Sequence, residues 1–255
     1  AFRAEITPDA EKTAIEKGVR FLVDTQNRCG SWGLPDLSRP GEGYYGTVAA
    51  FKAYEGATTA LCLMALMDAK ALGMDVAVPL QRGVDWLMQL EPTRRSDGAE
   101  FYCVWSLAYC IQCFARCAAR DDLNHSKEQI LRRVRDWLRL VESYRSDLGG
   151  WGYYDFDTGS QRPHGNLTTC FTTATLLIAL REARAAGAEI PEDLFTRGVK
   201  VIRDLRTPDK TYLYGYYMTF FPGSRANRPK GTLGRAQPCN VVLYDFRAGV
   251  TQKDL

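Results

Sequence analysis

Two short strings among the 255 residues hold the candidates for acid–base work. Asp155-Phe156-Asp157-Thr158 places two carboxylates two residues apart. Such a pair can hold one proton between them, which raises one pKa and suits a general acid. The same string lies in a Gly- and Ser-rich stretch, where Asp-Thr-Gly is ordinary turn chemistry. His164, in Arg162-Pro163-His164-Gly165-Asn166, is a second candidate acid or base near neutral pH, or else an exposed loop histidine.

The aromatic residues are the other chemical signal. Tyr44, Tyr45, Tyr153, Tyr154, Tyr212, Tyr214, Tyr216 and Tyr217 fall between apolar segments. Tyrosine faces stabilise cations or stack on sugars, and they also serve as packing over helix ends. Trp105, Cys170 and the tyrosines at 44, 45, 153, 154, 214 and 216 are the candidates for contacting a substrate, with Arg235 as a candidate partner of Asp155 or Asp157. No phosphate-cradling glycine loop, HExxH or Ser–His–Asp order is present, and nothing calls for a cofactor. Cys110, Cys113, Cys117 and His125 are a weak metal set, because no pair of CxxC knuckles accompanies them.

The eight cysteines mostly sit inside apolar helical patterns, with Cys103, Cys110 and Cys117 repeating every seven residues. They read as buried free thiols. That favours a cytoplasmic setting, although a chain starting at Ala1 leaves a removed signal peptide open. Apolar residues make up 45% and charged residues 25%, with a net charge of +3. This balance does not point to a nucleic-acid partner. The densest basic stretch, Arg132, Arg133, Arg135 and Arg139, contains Asp136 and reads as a solvated helix face. No apolar run is long enough for a transmembrane helix.

The positioning elements are repeated. Lys17-Gly18-Val19-Arg20-Phe21-Leu22, Arg82-Gly83-Val84-Asp85-Trp86-Leu87, Arg133-Val134-Arg135-Asp136-Trp137-Leu138 and Arg197-Gly198-Val199-Lys200-Val201-Ile202 share one pattern at spacings of 65, 51 and 64 residues. After the first helix comes a loop with Gly and aromatics: Cys29-Gly30-Ser31-Trp32-Gly33, Leu148-Gly149-Gly150-Trp151-Gly152 and, more weakly, Leu213-Tyr214-Gly215-Tyr216. A second, more apolar helix follows, around 58–66, 102–117, 172–180 and, in the last unit, from near Pro238 to Tyr244. The first helix of each unit is amphipathic and the second apolar nearly all round, as an outer and an inner layer require. Thr7-Pro8 and Ile190-Pro191 suit helix starts, Gly73 and Gly187 suit helix ends, and 212–221 reads as loop with a short extended piece. The expected fold is all-α, a single α/α toroid over 1–255, with about four hairpins in two concentric layers.

The string Lys17-Gly18-x-x-Phe21-Leu22-x-x-x-Gln26-x-x-x-Gly30-Ser31-Trp32 resembles the Gln–Trp repeat of squalene–hopene and oxidosqualene cyclases, relatives of the protein prenyltransferases. The resemblance spans roughly residues 8–246 and implies that Gln26 fixes the end of its own outer helix while Trp32 packs where a neighbouring helix begins. The third unit lacks the Gln, the second carries Glu91 there without the Trp, and the fourth is degenerate. Closed toroids of this superfamily use more than four hairpins, so an incomplete ring with an edge open to a homo-oligomeric partner is expected. The family's protonating D-x-D-D should precede Thr173-Ala174, but Thr169, Cys170, Phe171 and Thr172 stand there. Prenyltransferase zinc ligands are not matched either.

Three readings remain open. One is a terpene-cyclase-like protein with a central cavity for an apolar, isoprenoid ligand, with Asp155, Asp157 and His164 as candidate catalytic groups. The second is a binding or assembly module that kept the toroid and lost the acid. The third is a glycan-active α/α-barrel enzyme.

Overall fold

A computed structural model describes residues 7–33, 48–91, 103–152, 167–221 and 223–254. Among them it is all-helical: α1 (Pro8–Asp24), α2 (Val48–Ala71), α3 (Ala77–Gln89), α4 (Cys103–Ala118), α5 (Lys127–Ser143), α6 (Cys170–Ala186), α7 (Glu192–Asp204) and α8 (Pro229–Asp245), with short 3-10 turns at Tyr216–Phe220, Arg225–Asn227 and Gln252–Asp254. The only extended pairings in the described residues are the isolated bridges Thr169–Gly215 and Arg206–Tyr212.

The even helices pack in succession, α2 on α4, α4 on α6 and α6 on α8. The odd helices dock onto even ones: α1 and α3 on α2, α5 on α4, and α7 on α6 and α8. Composition explains the division. Charges on α5 leave one apolar stripe, Ile130, Val134, Trp137, Leu138 and Val141, and only that stripe is buried. On α4 twelve of sixteen residues are buried, because an apolar helix is stable only when covered on most sides. Local signals set the ends. Thr7 caps α1 by accepting from Ala10 N–H at 3.2 Å, with Pro8 in the first turn. Ser126 and Gln129 form a reciprocal capping box on α5, and Gly187 closes α6 at φ 107°.

The repeat has a physical basis in the loops after α1, α5 and α7. Trp32 Nε1 donates to Leu22 O and Trp151 Nε1 to Val141 O, each at 2.8 Å and ten residues back. The main-chain N–H of each tryptophan donates to a threonine of the following even helix, Trp32 to Thr59 Oγ1 at 2.9 Å and Trp151 to Thr173 Oγ1 at 3.0 Å. The turn before each indole is the same: Asn27 N–H to Ser31 O and Gly30 N–H to Asn27 O, then Ser146 N–H to Gly150 O and Gly149 N–H to Ser146 O. Thr207 N–H to Thr211 O and Lys210 N–H to Thr207 O repeat it in the fourth unit. The fourth residue of this turn is left-handed throughout, Gly30 at 106°, Gly149 at 101° and Lys210 at 64°.

This alignment corrects the reading of the fourth unit. The counterpart of Trp32 and Trp151 is Tyr212, not the Tyr214–Tyr216 segment. Tyr212 is fully buried, and its hydroxyl donates to Asn240 Oδ1 at 2.6 Å. The last even helix also begins at Pro229 and passes through Pro238. Gly231, Gly234 and Pro238 are poor helix formers, so the sequence pattern stops short of the true start.

The arginine that opens the second, third and fourth repeats holds the loop after the preceding odd helix. Arg82 Nε donates to Gln26 Oε1 at 3.0 Å. Arg133 bonds Leu90 O and lies 3.5 Å from Glu91, and Arg197 bonds Asp147 O. Gln26 reaches Gly30 O and also Pro79 O at the start of α3, both at 2.9 Å. It therefore ties the loop after α1 to the start of α3.

Candidate functional site

The four residues of α4 that are not fully buried are Trp105, Tyr109, Gln112 and Arg116. Their spacing places them on one helix stripe. On α6 the half-buried residues Phe171, Thr175, Ile178 and Glu182 make a matching stripe. The two stripes share one face. Trp105 stacks on Tyr109 and on Phe171, each at 5.9 Å between ring centres. Gln112 Nε2 and Arg116 Nε donate to Glu182 at 2.7 and 3.2 Å. On α2, Thr58, Leu61, Ala65 and Asp68 continue the face, since Asp68 lies 3.9 Å from Arg116.

The face is divided by chemistry. Toward the start of α4 and α6 it is aromatic. Phe171 meets Tyr214 edge-on at 4.8 Å, and Tyr214 meets Tyr217 at 6.1 Å. Tyr109, Trp105, Phe171, Tyr214 and Tyr217 thus form a continuous run across α4, α6 and the loop before α8. Toward the other end it is ionic, with Arg116 paired to both Asp68 and Glu182 and Arg181 paired with Asp245 of α8. Such a surface offers rings to an apolar ligand at one end and paired charges at the other.

The sequence candidates distribute unevenly over this face. Trp105 and Tyr214 belong to the aromatic run. Tyr216 does not: its hydroxyl donates to Asp204 of α7 at 3.0 Å, and burial first, then this carboxylate, raises its pKa. Cys170 is fully buried at the first turn of α6, where its thiol lies against Cys239. Arg235 stands over Tyr214 at 5.3 Å, but its guanidinium donates to the carbonyls of Tyr212, Ala226 and Gly231, which makes it a fastener of the α8 start. Asp155, Asp157, His164, Tyr44, Tyr45, Tyr153 and Tyr154 lie outside the described residues. The sequence reading missed Tyr109 and Phe171. The signal for Tyr109 was there, since the breaks in the apolar pattern of α4 fall at helical spacing.

Thr169 and Thr172, where an acid motif would stand, and Thr173 just after them are buried and neutral. Thr169 Oγ1 donates to Thr172 Oγ1 and Thr173 Oγ1 to Thr169 O, both at 2.7 Å. The buried thiols of α4 are equally poor candidates. All eight cysteines are free, and burial pushes Cys110 up to about 12. Cys113 is raised well above the usual thiol range by its hydrogen bond with Cys117 and by burial. His125 is bound to Asp85 at 2.7 Å, and no metal-binding group of three or more ligands occurs among the described residues. No helix among them is long and apolar enough to cross a membrane. No protein-family model, no curated protein and no solved structure matches this chain.

Proposed function

We propose that the chain is a terpene-cyclase-like α/α toroid whose even helices form the inner layer, and that it binds an apolar, isoprenoid-type ligand on the aromatic end of that layer. The aromatic run from Tyr109 to Tyr217 carries this reading. Five half-buried rings in contact on one face of the even helices are wasteful as a solvent surface and suited to burying hydrocarbon. The neutral threonines at the head of α6 support binding over protonation there. A catalytic role would have to draw its acid from Asp155, Asp157 or His164, which precede α6 in the chain. The paired charges at the far end of the face favour this over a glycan-active site, because Glu182 is held by Arg116 and Gln112 instead of facing a second free carboxylate.

The test is extraction of the purified protein and mass spectrometry of the bound material, alongside Trp105→Ala. A near-stoichiometric isoprenoid or lipid in the wild type, lost in the variant while the helical circular dichroism is kept, supports the proposal. Stoichiometric oligosaccharide, or equal lipid in both proteins, overturns it.

A further inference from the structure

Between Asp209 and Asp245 the chain carries no carboxylate, yet it carries Lys210, Arg225, Arg228, Lys230 and Arg235. Over the whole chain acidic and basic residues nearly balance, at 30 and 33, so this stretch is a local departure. Lys210 belongs to the turn before Tyr212, and Arg235 fastens the start of α8. The other three are different. Arg225, Arg228 and Lys230 are exposed, and their side chains make no hydrogen bond or ion pair among the described residues. Several exposed cations elsewhere do have such partners: Arg132 with Glu128, Arg184 with Glu192 and Lys200 with Asp204. Asp204 also accepts from the Tyr216 hydroxyl at the start of the segment, and Lys200 already matches its charge.

The same stretch exposes two rings. Phe220 is 75% and Phe221 67% exposed, although phenylalanine usually seeks cover. The backbone beneath them is ordered by short bonds. Met218 N–H donates to Gly215 O at 2.9 Å, Phe221 N–H to Met218 O and Ser224 N–H to Phe221 O, both at 3.1 Å, and Asn227 N–H to Ser224 O at 3.0 Å. Each runs to the oxygen three residues back, so the segment is a series of tight turns. Asn227, which is buried, locks the series. Its Oδ1 accepts from Tyr214 N–H at 3.1 Å, and its Nδ2 donates to Phe221 O at 3.2 Å. The second bond brings the backbone on both sides of Asn227, from Arg225 to Arg228, alongside Phe221.

Exposed rings, free cations and a satisfied backbone suit shallow insertion into a charged bilayer surface. Rings enter the boundary between headgroups and acyl chains. Cations meet anionic headgroups, and backbone groups that already have partners add no unmet hydrogen bonds there. We propose that this protein docks on an anionic lipid surface through Phe220 and Phe221, with Arg225, Arg228 and Lys230 contacting the headgroups. Charge selects this occupant, because a partner without anionic groups would leave the three cations unmatched. Neither phenylalanine belongs to the aromatic run from Tyr109 to Tyr217, so the proposal stands apart from the ligand reading.

Flotation of the full chain with vesicles tests this. One set holds phosphatidylcholine with about one-third phosphatidylserine, and the other phosphatidylcholine alone. The wild type should float with the first and not with the second, and salt should weaken the binding. Phe220→Ser with Phe221→Ser should weaken it by about tenfold or more, and Arg228→Gln with Lys230→Gln by about tenfold at low salt. All four positions are exposed, and the circular dichroism should stay helical. Arg135→Gln with Arg139→Gln removes the same charge from exposed positions of α5 and should leave binding unchanged. No binding to either vesicle, or equal binding to both, overturns the proposal. So does an equal loss in the α5 pair, as attraction by net charge alone would give. Full binding by the serine pair overturns it too, since the rings would then play no part.

Discussion

The indole of Trp151 donates to the backbone oxygen of Val141 at 2.8 Å, on the helix that leads into its own loop. Trp137, four residues before Val141, is equally buried, yet its indole nitrogen has no hydrogen-bond partner among the described residues. The two tryptophans should therefore answer differently to one substitution. Trp151→Phe leaves a buried carbonyl short of a donor and should cost about 1–3 kcal/mol. Trp137→Phe removes a buried polar group that bonds nothing and should cost less than about 1 kcal/mol, beyond the lost ring area. Urea melts of the two variants make the comparison.

The shared turn makes opposite demands at its left-handed residue. Lys210 sits at φ 64°, a region that costs a residue with a Cβ roughly 1–2 kcal/mol. Lys210→Gly should raise the melting temperature or leave it unchanged, as the relief is offset by greater freedom in the unfolded chain. Gly30→Ala should lower it clearly, because a Cβ there would run into the Arg82 carbonyl and disturb the joint between two units. Thermal melts decide both.

The buried thiols predict an alkaline limit. The folded pKa of Cys110 is raised to about 12 by burial, from a usual value of 9.0. Cys62 moves to about 11 for the same reason. A group whose folded pKa is raised contributes its full stability below the unfolded value and loses it as pH climbs toward the folded one. Stability should fall from about pH 9 upward, and Cys110→Ala should flatten that fall. In the native state near neutral pH, a thiol reagent should label exposed Cys29 well before the six buried cysteines, which should react on denaturation.

Much of the architecture is visible in the sequence because one physical requirement recurs. α3, α5 and α7 each use an arginine to hold the loop after the preceding odd helix, so Arg82, Arg133 and Arg197 stand at recognisable intervals. The fourth unit hides the same geometry. Tyr212 replaces the indole and Lys210 the glycine, so composition no longer marks the turn although its hydrogen bonds are unchanged. The first half of α8 is hidden for another reason. Arg235 holds it through three backbone carbonyls, a tertiary effect that overrides weak local propensity. The candidate site is half legible. Trp105 and Tyr214 can be picked out as aromatic residues, but the partnership with Phe171 depends on how α4 lies against α6, which spacing along the chain does not encode.

The bond from each loop indole back to the helix ten residues earlier has a mechanical meaning. It is a short-range closure, made within a unit before any neighbour is needed, while the arginine joints connect only adjacent units. Chains built this way have stabilities close to a sum of unit and nearest-neighbour terms, and folding can start at more than one place. Pulled from its termini, such a chain should come apart one hairpin at a time, beginning with α1, the helix with the least cover, and the Trp151 unit should be among the last to let go.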